Sequence, residues 1–230
     1  MNFLLQNPVY LVAKILAFAL ALPLHEAAHA FVAYRLGDPT GKVYGRLTLN
    51  PLRHLDPMGL LMMMFAGVGW AKPVPVNPQN FKSPRRGMAL TAAAGPISNL
   101  LLAYVSMVLF KVLLYTRPFI TVLNSYEGLS GLYGNVVYII MFFAVINVAL
   151  AVFNMLPVPP LDGSRVLSVF LPEKQYFAIQ KYERYIMVGL MLLLYLGLLD
   201  GVLSTLNSGA LHILDVSTRY IDWLFALAYR

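Results

Sequence analysis

The chain contains no cysteine. That absence excludes a disulfide framework, a thiolate nucleophile and a thiolate metal site, so any metal must be held by His, Asp or Glu. Charge is scarce as well. Only 12% of the 230 residues are Asp, Glu, Lys or Arg, against about a quarter in a soluble domain. Hydrophobic residues make up 59% and the mean hydropathy is +0.69. A chain of this size cannot hide so much apolar surface inside itself, so part of its solvent is lipid. Acidic residues are the scarcer charge, 10 against 17 Lys and Arg, for a net charge of +7. In a membrane protein that excess belongs to cytoplasmic loops, and no nucleic-acid partner is expected. Nor is a cleavable signal expected, because no Lys or Arg precedes Lys14 and no small-residue cleavage site follows a short apolar core.

What is present is a set of long apolar runs. Crossing a bilayer takes about 20 apolar residues, and three stretches reach that length: Ile15–Tyr34, Met88–Phe110 and Val136–Leu156. The first is interrupted only by His25, Glu26 and His29; the other two carry no charge. A fourth, Tyr185–Leu199, spans by extending past Gly201. Met58–Trp70 is short, which suits a re-entrant or interfacial segment. In the C-terminal stretch Ala210–Tyr229, Asp215, Arg219 and Asp222 fall at i, i+4 and i+7. That gives one polar face, suited to an interfacial helix or to a last span packed on the bundle. The expected fold is therefore an all-α polytopic membrane protein, a transmembrane helical bundle of about four to six helices. It forms one membrane-embedded domain over residues 1–230, with its core at about 15–170 and C-terminal helices at 171–230.

Basic residues alternate between the spans. Eight lie from Arg35 to Arg86, two (Lys111 and Arg117) follow the second long run, and four (Arg165, Lys174, Lys181 and Arg184) follow the third. This pattern predicts an N-terminus outside and the first and third connecting segments in the cytoplasm. The segment between the first two spans is expected to hold a small extended or β element. Val43–Leu49 is rich in strand formers, and Lys72–Val76 reads K-P-V-P-V, which is extended and fit only for a sheet edge. Such an edge could receive an unwound peptide as an added strand, or serve as a rigid connection.

Within the first span stands His25-Glu26-Ala27-Ala28-His29. Two histidines at i and i+4 project from one helix face about a turn apart, as two ligands of one zinc require. Glu26 beside them can take a proton from a water in the open metal position. Random shuffling of this composition yields H-E-x-x-H roughly once in a thousand sequences, so chance explains it poorly. Unpaired, each of three ionisable groups in lipid would cost several kcal/mol, which also favours a metal.

A catalytic zinc needs a third protein ligand at the same depth. Asp162 meets that condition, in Asn154-Met155-Leu156-Pro157-Val158-Pro159-Pro160-Leu161-Asp162-Gly163 after the third span. The prolines break the helix and let the chain turn back into the bundle. Alone, Asp162 would read as a helix cap; beside His25 and His29 it reads as the third zinc ligand. Asn99, in Ala92-Ala93-Ala94-Gly95-Pro96-Ile97-Ser98-Asn99, could donate to an oxyanion or bond a neighbouring helix. Asn147 suits an interhelical bond, and Asn154 suits the site wall. His54 and Asp56 are read as interfacial turn residues or as groups around the mouth of the site, and His212 as a surface residue.

These residues resemble the site-2 protease family of intramembrane zinc metalloproteases. The resemblance rests on H-E-A-A-H in the first span, A-A-G-P-I-S-N in the second and N-M-L-P-V-P-P-L-D-G after the third. T-L-N-P-L-R-H-L-D-P and G-W-A-K-P-V-P-V-N look like the compact prokaryotic branch, and the likeness covers roughly residues 15–170. It implies His25, His29 and Asp162 as ligands of one Zn2+, Glu26 as the catalytic carboxylate, and Asn99 and Asn154 as helpers for substrate or oxyanion. It also implies a transmembrane protein or peptide substrate cut within the lipid bilayer, in the inner or plasma membrane of a prokaryotic cell, with the active site toward the cytoplasm. The PDZ or CBS module that the family often carries is not seen. A metal-ion transporter or a non-catalytic metal-binding membrane protein is the alternative. Against the first stands the lack of a second ligand cluster deeper in the membrane, and against the second the presence of Glu26.

Overall fold

The computed structural model of the chain describes residues 8–59, 71–123, 127–172, 175, 179 and 181–228. Of the expected re-entrant stretch Met58–Trp70, residues 60–70 lie outside the described residues. The long apolar runs form helices: α1 (Pro8–Arg35), α2 (Pro84–Leu123) and α3 (Glu127–Asn154). A short α4 (Asp162–Leu167) follows, then α5 (Glu183–Tyr195), α6 (Asp200–Ser217) and α7 (Arg219–Ala228). Among the described residues, α1, Pro84–Thr116 of α2 and Gly131–Asn154 of α3 are each long and apolar enough to cross a membrane. The α5 helix and the α6–α7 stretch bend by 86° against one another and make a fourth span if taken together. The all-α polytopic expectation holds.

α2 is the hub: α1, α3, α4, α6 and α7 all pack on it. The interior is built from small side chains. Ala13, Ala17, Ala21, Ala27, Ala30 and Ala33 of α1 are buried, as are Ala92, Ala94 and Ala103 of α2 and Ala144 and Ala151 of α3. The large apolar side chains face outward, among them Leu20 and Phe31 of α1 and Leu101 and Val105 of α2. In water each such exposure would forfeit about 1.5–3 kcal/mol of burial. In lipid it costs nothing, and small residues inside let helices pack closely by dispersion.

Within α1, Ala17–Ala21 is a π-helical turn, with the Leu22 N–H donating to the Ala17 carbonyl. Pro23, which has no N–H to give, follows directly. The wide turn absorbs that missing donor and re-aims the helix just before His25.

One expectation is corrected. Val43–Leu49 is not a strand: Thr40–Val43 is a single helical turn, and Val43, Tyr44 and Arg46 spend their amides on the carbonyls of Pro39, Thr40 and Gly41. Local turn bonds therefore outcompete β propensity there. Among the described residues the extended element is reduced to the run from Ala71 to Asn77, tied by one antiparallel bridge between Leu55 and Ala71. In the C-terminal stretch the helix breaks at Thr218, and Asp215 and Asp222 turn inward to Lys111 of α2, each 2.8 Å from its ammonium nitrogen. Through these contacts the stretch packs on α2.

Candidate metal centre and active site

α1 carries His25 and His29 one turn apart on the face turned toward α2, and both side chains are buried. α4 brings Asp162 to them. Its Oδ2 lies 3.2 Å from His25 Nε2 and 3.3 Å from His29 Nε2. Two ligands at about 2.0–2.1 Å from one tetrahedral zinc stand about 3.3 Å apart, so these separations match an edge of a zinc tetrahedron. The imidazole planes stand at 86° to each other, and the candidate ligand atoms of the three side chains all lie within 4.8 Å of one another. Among the described residues this is the one group of at least three His, Asp or Glu side chains that converges in this way. Charge and donor set both fit zinc.

Local sequence explains how Asp162 arrives there. After α3 the prolines stop the helix, and Gly163 lies against its end. A Cβ on Gly163 would stand 2.2 Å from the Met155 carbonyl oxygen. Only glycine lets the α4 backbone settle there. Arg85, at the start of α2, donates to the carbonyls of Ser168 and Leu171 and so ties the far end of α4 to the hub.

α2 supplies the opposite wall. His29 Nδ1 lies 2.7 Å from the Thr91 carbonyl oxygen, and one turn later a Cβ on Gly95 would fall 2.4 Å from His29 Nε2 and 2.5 Å from His25 Nε2. Neither residue is visible as a site residue from chemistry-bearing side chains, since one acts through its carbonyl and the other through having no side chain. The only sequence signal was their i, i+4 spacing on a small-residue face.

The three candidate ligands line a cavity of about 180 Å3 together with Glu26, Asn154, Thr91, Arg165 and the extended residues Pro73, Val74 and Val76. Glu26 Oε2 accepts the Val74 N–H at 3.1 Å. The extended segment is also held at its ends: Lys72 N–H donates to the His54 carbonyl at 2.7 Å, and Asn77 N–H to Asp38 Oδ2 at 2.8 Å. Asp38 is fully buried and takes further bonds from Thr40 and Asn80. Burial raises its pKa, but these donors prevail and hold it below the ordinary carboxylate value.

The remaining sequence candidates separate. Asn154 lines the cavity and donates its amide to the Leu150 carbonyl of its own helix. Asn99 is fully buried, is not among the residues lining the cavity, and has neither amide atom partnered among the described residues. Asn147 is buried and donates to the Phe143 carbonyl. His54 is buried away from the cavity with Nε2 2.8 Å from the Thr48 carbonyl oxygen, and Asp56 caps the amides of Met58 and Gly59. His212 is exposed.

Residues 13–196 match peptidase family M50. The chain is 39% identical over 174 residues to YwhC of Bacillus subtilis (strain 168), covering 74% of each protein. It is 32% identical over 196 residues to Rip2 of Mycobacterium tuberculosis (strain H37Rv), covering 83% of this chain and 69% of that one. Both relatives bear the name "Putative zinc metalloprotease". No solved structure matches.

Proposed function

This chain belongs to peptidase family M50 and is an intramembrane zinc metalloprotease; we propose that His25, His29 and Asp162 hold its one zinc and that Glu26 carries the proton. The observation that carries this assignment is the approach of Asp162 Oδ2 to within 3.2 and 3.3 Å of the two Nε2 atoms, in the wall of a cavity that Glu26 shares.

When bound, zinc supplies Lewis acidity that acidifies a water and polarises a carbonyl. Glu26 accepts the proton of the attacking water on a carboxylate oxygen and returns it to the leaving amine nitrogen. Asn154, at the cavity wall, is the amide side chain positioned to meet the substrate. The substrate is a transmembrane protein segment in the bilayer, which must unwind to offer a carbonyl, because a helix keeps its carbonyls bonded internally. Laid beside Pro73–Val76, it would donate its own amides, since the prolines there have none to offer. The whole described chain acts as a single membrane-embedded protease domain. The excess of Lys and Arg between the first two spans supports a site open to the cytoplasm of a prokaryotic cell, in its inner or plasma membrane, with the N-terminus outside.

The test is Glu26→Gln, purified in detergent and presented with a reporter transmembrane peptide. The variant is expected to keep its zinc and to lose cleavage by about 100-fold or more. Undiminished cleavage removes Glu26 from the chemistry.

A further inference from the structure

The bond between Glu26 and the extended segment has a consequence for the reaction itself. Glu26 sits next to a metal ligand on a rigid helix, but its own side chain has three rotatable bonds. Unanchored, it would spend much of its time away from the cavity, and fixing it costs about 1–2 kcal/mol of rotamer entropy. Among the described residues one bond reaches its carboxylate, from the Val74 N–H at 3.1 Å. Pro73 and Pro75 flank that amide, so it is the sole backbone donor of the P-V-P triplet. The donor does not depend on Glu26 for its own position. Lys72 and Asn77 pin the segment on either side of it, to the His54 carbonyl at 2.7 Å and to Asp38 Oδ2 at 2.8 Å. Pro75 also confines Val74 to extended geometry, which restricts where its N–H points.

We propose that the Val74 backbone amide is the positioning group for the catalytic carboxylate: it holds Glu26 Oε2 and leaves Oε1 to receive and return the proton. The P-V-P triplet then has two distinct duties. Its one amide orients the enzyme's own proton carrier, and its carbonyls remain for substrate. This rests on the reading of Glu26 as that carrier.

The experiment compares Val74→Pro with Val74→Ala in the full zinc-loaded chain in detergent, cutting the reporter transmembrane peptide, with Glu26→Gln alongside. Proline removes the amide hydrogen while keeping an extended backbone; alanine keeps the hydrogen and trims the side chain. Losing one bond to a charged acceptor should lower kcat of Val74→Pro about 10- to 100-fold relative to Val74→Ala, with KM within about twofold and zinc content equal. A kcat equal to that of Val74→Ala, while Glu26→Gln is inactive, overturns the proposal; so does a change confined to KM, which would mean that the segment only holds substrate. If Glu26→Gln itself cleaves normally, the failure lies with the assignment of Glu26, and the proposal goes with it. Should Val74→Pro lose zinc or fail to fold, replacement of Val74 by its α-hydroxy acid, which exchanges the N–H for an ester oxygen, is judged by the same criteria.

Discussion

His29 Nδ1 donates to the Thr91 carbonyl oxygen across 2.7 Å, and that bond fixes which nitrogen of the ring is left for a metal. A carbonyl can only accept, so Nδ1 carries the hydrogen and Nε2 presents its lone pair toward Asp162. The bond joins two transmembrane helices at the site, so the position of α2 against α1 is part of the metal geometry.

Gly95 tests that reading most directly. Alanine there would put a methyl 2.4 Å from His29 Nε2 and 2.5 Å from His25 Nε2, in the space the ligands need. By helix propensity alone the change is favourable by about 1 kcal/mol. Gly95→Ala is nonetheless expected to lower zinc affinity at least about 10- to 100-fold and to abolish cleavage, measured as bound zinc per chain and reporter turnover. Full zinc occupancy with normal turnover would show that α2 does not press on the site.

Metal removal separates binding from chemistry. Chelation should stop cleavage by the wild type, and added zinc should restore it. Because a metal that binds the folded chain also stabilises it, chelation should lower the melting temperature of the wild type and of Glu26→Gln alike. Asp162→Ala, lacking one of the three converging ligands, should melt at a temperature insensitive to chelator. An equal chelator effect in all three would place the zinc elsewhere.

Asp38 predicts an acid dependence of stability. Its folded pKa lies below the ordinary value because donors from Thr40, Asn77 and Asn80 outweigh burial. A depressed carboxylate contributes stability that is fully present above the unfolded pKa of about 3.9 and is lost as pH falls through the folded value. Acidification from pH 6 toward pH 3 should therefore lower the wild-type melting temperature more than that of Asp38→Asn, whose stability lacks this contribution at every pH. Parallel curves for the two proteins would count against it.

Lys111 anchors the C-terminal helices. It is buried in α2 and paired with Asp215 and Asp222, and Tyr115 adds a 3.0 Å bond to Asp222. Lys111→Met removes the ammonium that both partly exposed carboxylates share, leaving Asp215 the more distant Arg219 at 3.8 Å, which should cost about 1–3 kcal/mol. Adding Asp222→Asn should restore part of the loss, a coupling that a double-mutant cycle on detergent unfolding would reveal. Zinc content should not change, since neither residue reaches the cavity. Strict additivity would mean that the pair contributes nothing.

The readable part of the site was the part written in side chains. His25, Glu26 and His29 lie on one turn of one helix, so their mutual placement follows from local geometry. Asp162 could be nominated from depth and from the prolines before it. The Val74 amide, the Thr91 carbonyl and the bare Cα of Gly95 left no comparable trace, because backbone groups are the same in every residue. Asn99, a polar residue conspicuous in an apolar span, is buried and does not line the cavity. Val43–Leu49 likewise has strand-forming side chains, yet nearby turn bonds claim its amides.

Composition and periodicity alone determined that the chain lives in lipid, that its long apolar runs are helices, and that two imidazoles and a carboxylate share one helical turn, because each depends on neighbours a few residues apart. Only the tertiary structure decided that Asp162 closes on those imidazoles, that α2 presses a glycine against them, and that an extended segment gives the Val74 amide to Glu26. Contacts between residues tens of positions apart are set by how helices pack, and packing depends on shape in three dimensions.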